Sequence, residues 1–130
     1  MFSHIFVSVT DFDRALKFYT EVMQVLGNEA RFCDPVKPWA GWQSEGRSRP
    51  LFVIGKPYDG RPHHPGNGQM VAFMAKDRPT VEAAYAVALR NGGTSEGLPE
   101  LRPEYHSNYY GAYFRDPDGN KICVASHGEK

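Results

Sequence analysis

The sequence predicts an α+β domain built from two tandem copies of one unit, a strand, a helix and three further strands. Three observations carry that prediction. Strand-like and helix-like periodicities follow one another in the same order twice. The second run repeats the first at a shift of 66 residues (70 − 4), setting Met70 on His4. A stretch rich in Gly and Pro, about residues 57–68, separates the two runs and reads as a linker. The expected layout is a single domain over 1–130, with module one at about 1–56 and module two at about 69–127.

The first strand is His4-Ile5-Phe6-Val7-Ser8-Val9. Alternation places His4, Phe6 and Ser8 on one face and Ile5, Val7 and Val9 on the other, and the second face should pack on a helix. Thr10-Asp11 offers an N-terminal cap. Phe12, Ala15, Leu16, Tyr19, Val22, Met23 and Leu26 then recur at helical spacing, and Gly27 stands where a left-handed residue ends a helix. Short strands are expected near Glu29–Phe32, Gly41–Gln43 and Leu51–Ile54.

In the second run, Met70–Ala75 is again a short apolar strand. Asp77 takes the place of Asp11, with Pro79 tolerated in the first helical turn. Val81, Ala84, Tyr85 and Ala88 mark the buried stripe, Tyr85 matching Tyr19; Gly92-Gly93 ends the helix, Gly93 matching Gly27. Strands are expected near Gly97-Leu98, Ala112–Phe114 and Lys121–Ala125. Asp116-Pro117-Asp118-Gly119-Asn120 turns the last two into a hairpin. Strand, cap, helix and terminator recurring in one register indicate an internal duplication.

Composition narrows the function. With 41% hydrophobic and 23% charged residues the chain has a globular balance. Net charge is zero and no Lys/Arg run stands out, which argues against nucleic acid or an acidic membrane as partner. The start has neither a basic n-region nor a long apolar stretch, so no signal peptide or membrane span is expected. Cys33 and Cys123 are far apart and lack a CxxC partner, so a reducing cytoplasm is the default expectation. No GxSxG elbow, P-loop or dinucleotide fingerprint is present.

Several segments resemble the glyoxalase/bleomycin-resistance/extradiol-dioxygenase (vicinal oxygen chelate) family. They are His4 with its alternating apolar residues, Asp11 and Arg14-Ala15-x-x-Phe18-Tyr19 as the opening; Gly66-Asn67-Gly68-x-Met70-Val71-Ala72-Phe73 as the start of the second unit; and Arg115-Asp116-Pro117-Asp118-Gly119-Asn120-Lys121-Ile122 as the close. The resemblance implies two modules whose sheets curl into a half-open cup with helices on the outer face, a homodimer, and a small-molecule ligand in the cup. It also implies a divalent metal held by a His on a module's first strand and a carboxylate on its last. His4 occupies such a position, while Met70 stands where a second His is usual and Cys123 where a Glu is usual. The first copy's last strand, Leu51-Phe52-Val53-Ile54, supplies no ligand. Two readings follow. Either the metal is lost and the cup is an apolar-floored pocket with His4 as a polar contact, or His4, Met70 and Cys123 form a soft site suited to Cu(I) or a thiophilic Zn ion.

Residues 102–110 form the most polar-aromatic stretch, and in the family fold they should cross near the cup's mouth. Arg102 could clamp a carboxylate or phosphate, and His106 could move a proton near neutral pH. Tyr105, Tyr109 and Tyr110 offer aromatic faces with hydroxyl tips. Trp42, with Trp39, stands by the second strand of module one, either lining the pocket or packing in core or interface. His63-His64 read as a solvated loop pair, and Cys33 as inert. Two functions are in play: a glyoxalase- or dioxygenase-type enzyme, in which His4 and His106 are the candidate catalytic groups, or a non-catalytic protein that sequesters a ligand.

Overall fold

A computed structural model describes all residues 1–130. Module one runs β1 (His4–Ser8), α1 (Phe12–Leu26), β2 (Asn28–Asp34), β3 (Trp39–Ser44) and β4 (Leu51–Gly55). Module two runs β5 (Val71–Met74), α2 (Arg78–Arg90), β6 (Thr94–Leu101), β7 (Tyr110–Arg115) and β8 (Lys121–Ser126). Each module forms one four-stranded mixed sheet, β1-β4-β3-β2 and β5-β8-β7-β6. In each, the first strand pairs parallel with the last and the others pair antiparallel. The two-module α+β fold is the one expected from the repeat.

Local chemistry sets the helices. Asp11 accepts the Arg14 N–H at 3.2 Å to start α1, and Gly27, at φ 78, ends it in the left-handed conformation. Phe12, Ala15, Phe18, Tyr19, Val22 and Met23 form its buried stripe. Burying a side chain such as Phe18 contributes about 2–3 kcal/mol. Asp77 caps α2 through the Thr80 N–H at 2.9 Å, and the Thr80 hydroxyl, then that backbone bond, hold its carboxyl below the usual range.

The second helix ends differently from the expectation. Gly92, at φ 95, takes the left-handed conformation, and Gly93 does not. Gly93 must be glycine for another reason: a Cβ there would sit 2.8 Å from the Ala88 carbonyl oxygen and 2.9 Å from that of Arg115.

One core of 21 buried residues draws on both helices and both sheets. Trp42, Phe52 and Ile54 line it from the first sheet; Phe114, Ile122 and Val124 line it from the second. Tyr19 stacks near Phe18, Trp42 and Phe52, and Phe52 meets Phe73 edge-on at 4.9 Å between the modules. Strands β2 and β6 reach beyond the short runs read from sequence. Both are edge strands with mostly exposed side chains and irregular register, so their partners' backbones define them more than apolar alternation does.

The Asp116–Asn120 turn joins the modules. Asp116 is 3% exposed, and its carboxylate accepts from the Tyr19 hydroxyl at 2.5 Å and from Asn120 Nδ2 at 2.9 Å. It also accepts the backbone N–H groups of Asp118 and Asn120. Asn120 Nδ2 donates as well to the Ser8 carbonyl, while Asp118 accepts from the Thr10 N–H and from Arg14. The turn motif of module two thus grips β1, α1 and the residues between them.

Candidate functional site

Two cavities lie where the modules meet. The larger, of about 390 Å³, is bounded by β1, by β5 and the segment before it, and by the start of β8. Ile5, Phe6, Val71 and Ile122 give it apolar walls, with Ser8 and Lys121 among its polar groups. Met70 borders it and is 43% exposed. The second, of about 270 Å³, is mainly apolar and is lined by Trp42, Phe52, Phe73 and Met74 among others. Trp42 is itself 4% exposed and packs in the core against Tyr19 and Phe52 while bordering this space.

The expected metal ligands fall as follows. Val71 pairs with Ile122 and Ala72 with Cys123, so Met70, immediately before β5, lies beside the strand that carries Cys123. His4 is on the first sheet, exposed, and its Nδ1 shares a hydrogen bond with the Ser3 hydroxyl at 2.9 Å. Cys123 is fully buried, with Tyr109 Oη 3.4 Å from its sulfur. Burial pushes the thiol's pKa up, against the weaker opposing effect of the tyrosine hydroxyls. A soft metal takes the thiolate, so binding at Cys123 would have to displace the thiol proton against that burial. No three His, Cys, Asp or Glu side chains gather as a metal cluster. The residues present therefore offer no such cluster for a divalent ion, and no chemical step is derived through a metal.

The 102–110 stretch divides. Arg102 lies over the Tyr113 ring, donates to the Leu98 carbonyl at 2.8 Å and to that of Gly111 at 3.4 Å, and pairs with Glu100 at 3.5 Å. Its guanidinium is thus largely committed within the chain. Tyr109 Oη bonds Tyr113 Oη at 3.0 Å as well as Cys123, and burial raises the Tyr109 pKa. Tyr110 turns elsewhere, donating to Glu82 on α2 at 2.7 Å. Tyr105 is exposed and packs on Tyr109. His106 is exposed too; its Nε2 lies 2.8 Å from His127 Nδ1 and its Nδ1 accepts the Asn108 N–H.

One residue read as solvated loop is not so. His63 is half-buried, with Nδ1 2.6 Å from Ser8 Oγ and Nε2 3.1 Å from the Asp118 carbonyl oxygen. Its neighbour His64 is exposed, accepts the Gly66 N–H through Nδ1, and borders the larger cavity. Nothing local in a Pro/Gly-rich linker signals that one of two adjacent histidines folds back onto β1. The polar residue on that strand's open face, Ser8, was the only available hint.

A two-module α+β chain with paired mixed sheets defines a fold that hosts many activities rather than a single one. The sequence matches the Glyoxalase/Bleomycin resistance protein/Dioxygenase superfamily over residues 1–124, and the chain belongs to that family. Among solved structures it is similar to a glyoxalase/bleomycin resistance protein from Albidiferax ferrireducens T118, with 34% identity and a TM-score of 0.84 over 98% of this chain and 99% of that one. A glyoxalase/bleomycin resistance protein/dioxygenase family enzyme from Burkholderia phytofirmans PsJN shares the fold at 18% identity and a TM-score of 0.71, over 97% and 98% of the two chains. So does TnmS3, an antibiotic binding protein from Streptomyces sp. CB03234, at 22% identity and a TM-score of 0.66, over 98% and 96%. No curated protein sequence matches the chain. No helix is long and apolar enough to cross a membrane.

Proposed function

We propose that the protein binds a small, largely apolar molecule in the larger intermodule cavity, without metal chemistry. The observation that carries this reading is the cavity itself. Its volume of about 390 Å³ suits a small ligand, and its apolar walls carry a few polar groups to orient one. The antibiotic binding described for TnmS3 supports a binding role on this fold. The glyoxalase or dioxygenase alternative needs a polarising ion, and the Cys123, Met70 and His4 donor set offers it poor support.

A thermal-unfolding panel of apolar and aromatic compounds tests the proposal, followed by product analysis for each hit. A true ligand at a hundredfold excess over its Kd stabilises by about 2.7 kcal/mol. Met70→Trp, which fills the cavity, should abolish the shift. Equal stabilisation of that variant would remove the cavity from the explanation, and product formation would make the protein an enzyme. We further propose that a second copy covers part of the exposed apolar surface, which includes Met74, Leu98 and Leu101. Light scattering that gives a monomer at micromolar concentration would refute the dimer.

A further inference from the structure

We propose that Ser8 and His63 form a nucleophile–base pair at the wall of the larger cavity, able to take an acyl group from a carboxylic ester onto Ser8 Oγ. The inference rests on that cavity being the ligand site and adds a reaction to it.

Hydrogen-bond partners set the histidine's tautomer. The Asp118 backbone carbonyl can only accept, so the bond of 3.1 Å requires His63 Nε2 to carry the proton. Nδ1 is then a lone pair, and over 2.6 Å it accepts the proton of the Ser8 hydroxyl. A base within reach of the nucleophile, itself oriented by a third group, is the arrangement that activates a serine. Here a neutral carbonyl does the orienting, so the pair is aligned without a carboxylate to stabilise the imidazolium. Acylation is therefore expected to be faster than turnover.

Access and polarity agree with this assignment. Ser8 borders the cavity, as do the apolar side chains of Phe6, Met70 and Val71, which suit the hydrocarbon part of an ester. His64 borders it too. Its Nδ1 accepts the Gly66 N–H, so its neutral ring carries the proton on Nε2, a donor for a developing oxyanion.

In the step itself, Ser8 Oγ bonds to the ester carbonyl carbon while its proton passes to His63 Nδ1. The carbon–alkoxide bond then breaks, and the alkoxide leaves with that proton. Water releases the acyl group by the same exchange in reverse.

The test treats the intact chain with an alkyl fluorophosphonate, which places a phosphonyl group on an activated serine and expels fluoride. Peptide mapping then locates and times the label. Ser8 should be modified, Ser8→Ala should lose the label, and His63→Gln, checked for fold by near-ultraviolet circular dichroism, should slow it about 100-fold. If His63→Gln does not fold, the comparison is made within the wild-type chain, where Ser8 should react about 100-fold faster than exposed Ser48, which has no histidine partner. Ser8 reacting no faster than Ser48, or equally fast in folded His63→Gln, would overturn the pair and leave a structural clasp. Ligand-induced stabilisation that persists in Ser8→Ala would then keep the binding proposal standing. Labelling of Ser8 without any stabilising ligand would uphold the pair and count against binding.

Discussion

The buried contact between Tyr19 and Asp116 offers the sharpest test of how the modules hold together. Tyr19 is wholly buried, and its hydroxyl donates to the Asp116 carboxylate at 2.5 Å. Tyr19→Phe removes that donor and keeps the ring that packs on Phe18 and Phe52. Loss of one hydrogen bond to a charged group costs about 1.5–3 kcal/mol. Asp116→Asn should cost more. Its oxygens accept from Tyr19, from Asn120 Nδ2 and from two backbone N–H groups, and an amide puts a donor against one of these pairs. Two such bonds lost give roughly 3–6 kcal/mol. The double variant should cost less than the sum, with a coupling of about 0.5–3 kcal/mol. Urea unfolding followed by tryptophan fluorescence measures all three, because Trp42 lies 6.3 Å from the Tyr19 ring. A Tyr19→Phe loss below about 0.5 kcal/mol, or an Asp116→Asn loss no larger than it, would show that the turn does not carry the load assigned to it.

Two further outcomes follow from buried titratable groups. Burial, and then the nearby Asp116 charge, raise the Tyr19 pKa well above the usual 10.0. The folded chain therefore keeps a proton that the unfolded chain releases, so this stabilisation is whole below about pH 10 and falls as pH rises further, by about 1.4 kcal/mol per pH unit. Tyr19→Phe should remove that slope in alkaline urea titrations, and an unchanged slope would refute the assignment. Of the two thiols, exposed Cys33 should react at once with an aromatic disulfide reagent, while Cys123 waits for denaturant. Tyr109→Ala should uncover Cys123 to the reagent, and two equally fast thiols in the parent would contradict its burial.

How much of the fold is legible in the sequence follows a physical division. Helix α1 was readable from Phe12 to Leu26 because its cap at Asp11, its stripe and its end at Gly27 are local signals. Strand β8 was readable because its residues from Ile122 to Ser126 are all buried and so mostly apolar. The edges β2 and β6 were only half visible, since the hydrogen bonds that define them come from β3 and β7. The helices keep the register that made His4 and Met70 equivalent, but duplication puts His4 on the first sheet and Met70 at the entry to the second. Arg102 looked free because its acceptors are backbone carbonyls, which no sequence displays. The pairing of His63 with Ser8 spans 55 residues and exists only after the linker closes over β1.

The hairpin turn at 116–120 has a bearing on how the chain is made. Tyr19 is translated early, yet its acceptor lies 97 positions downstream. Until the final hairpin leaves the ribosome, the amino-terminal half has no hydrogen-bond acceptor for that phenol and no anchor for the end of its first strand. Nascent chains stalled short of Asp116 should accordingly be protease-sensitive throughout, maturing in one late concerted event rather than half by half.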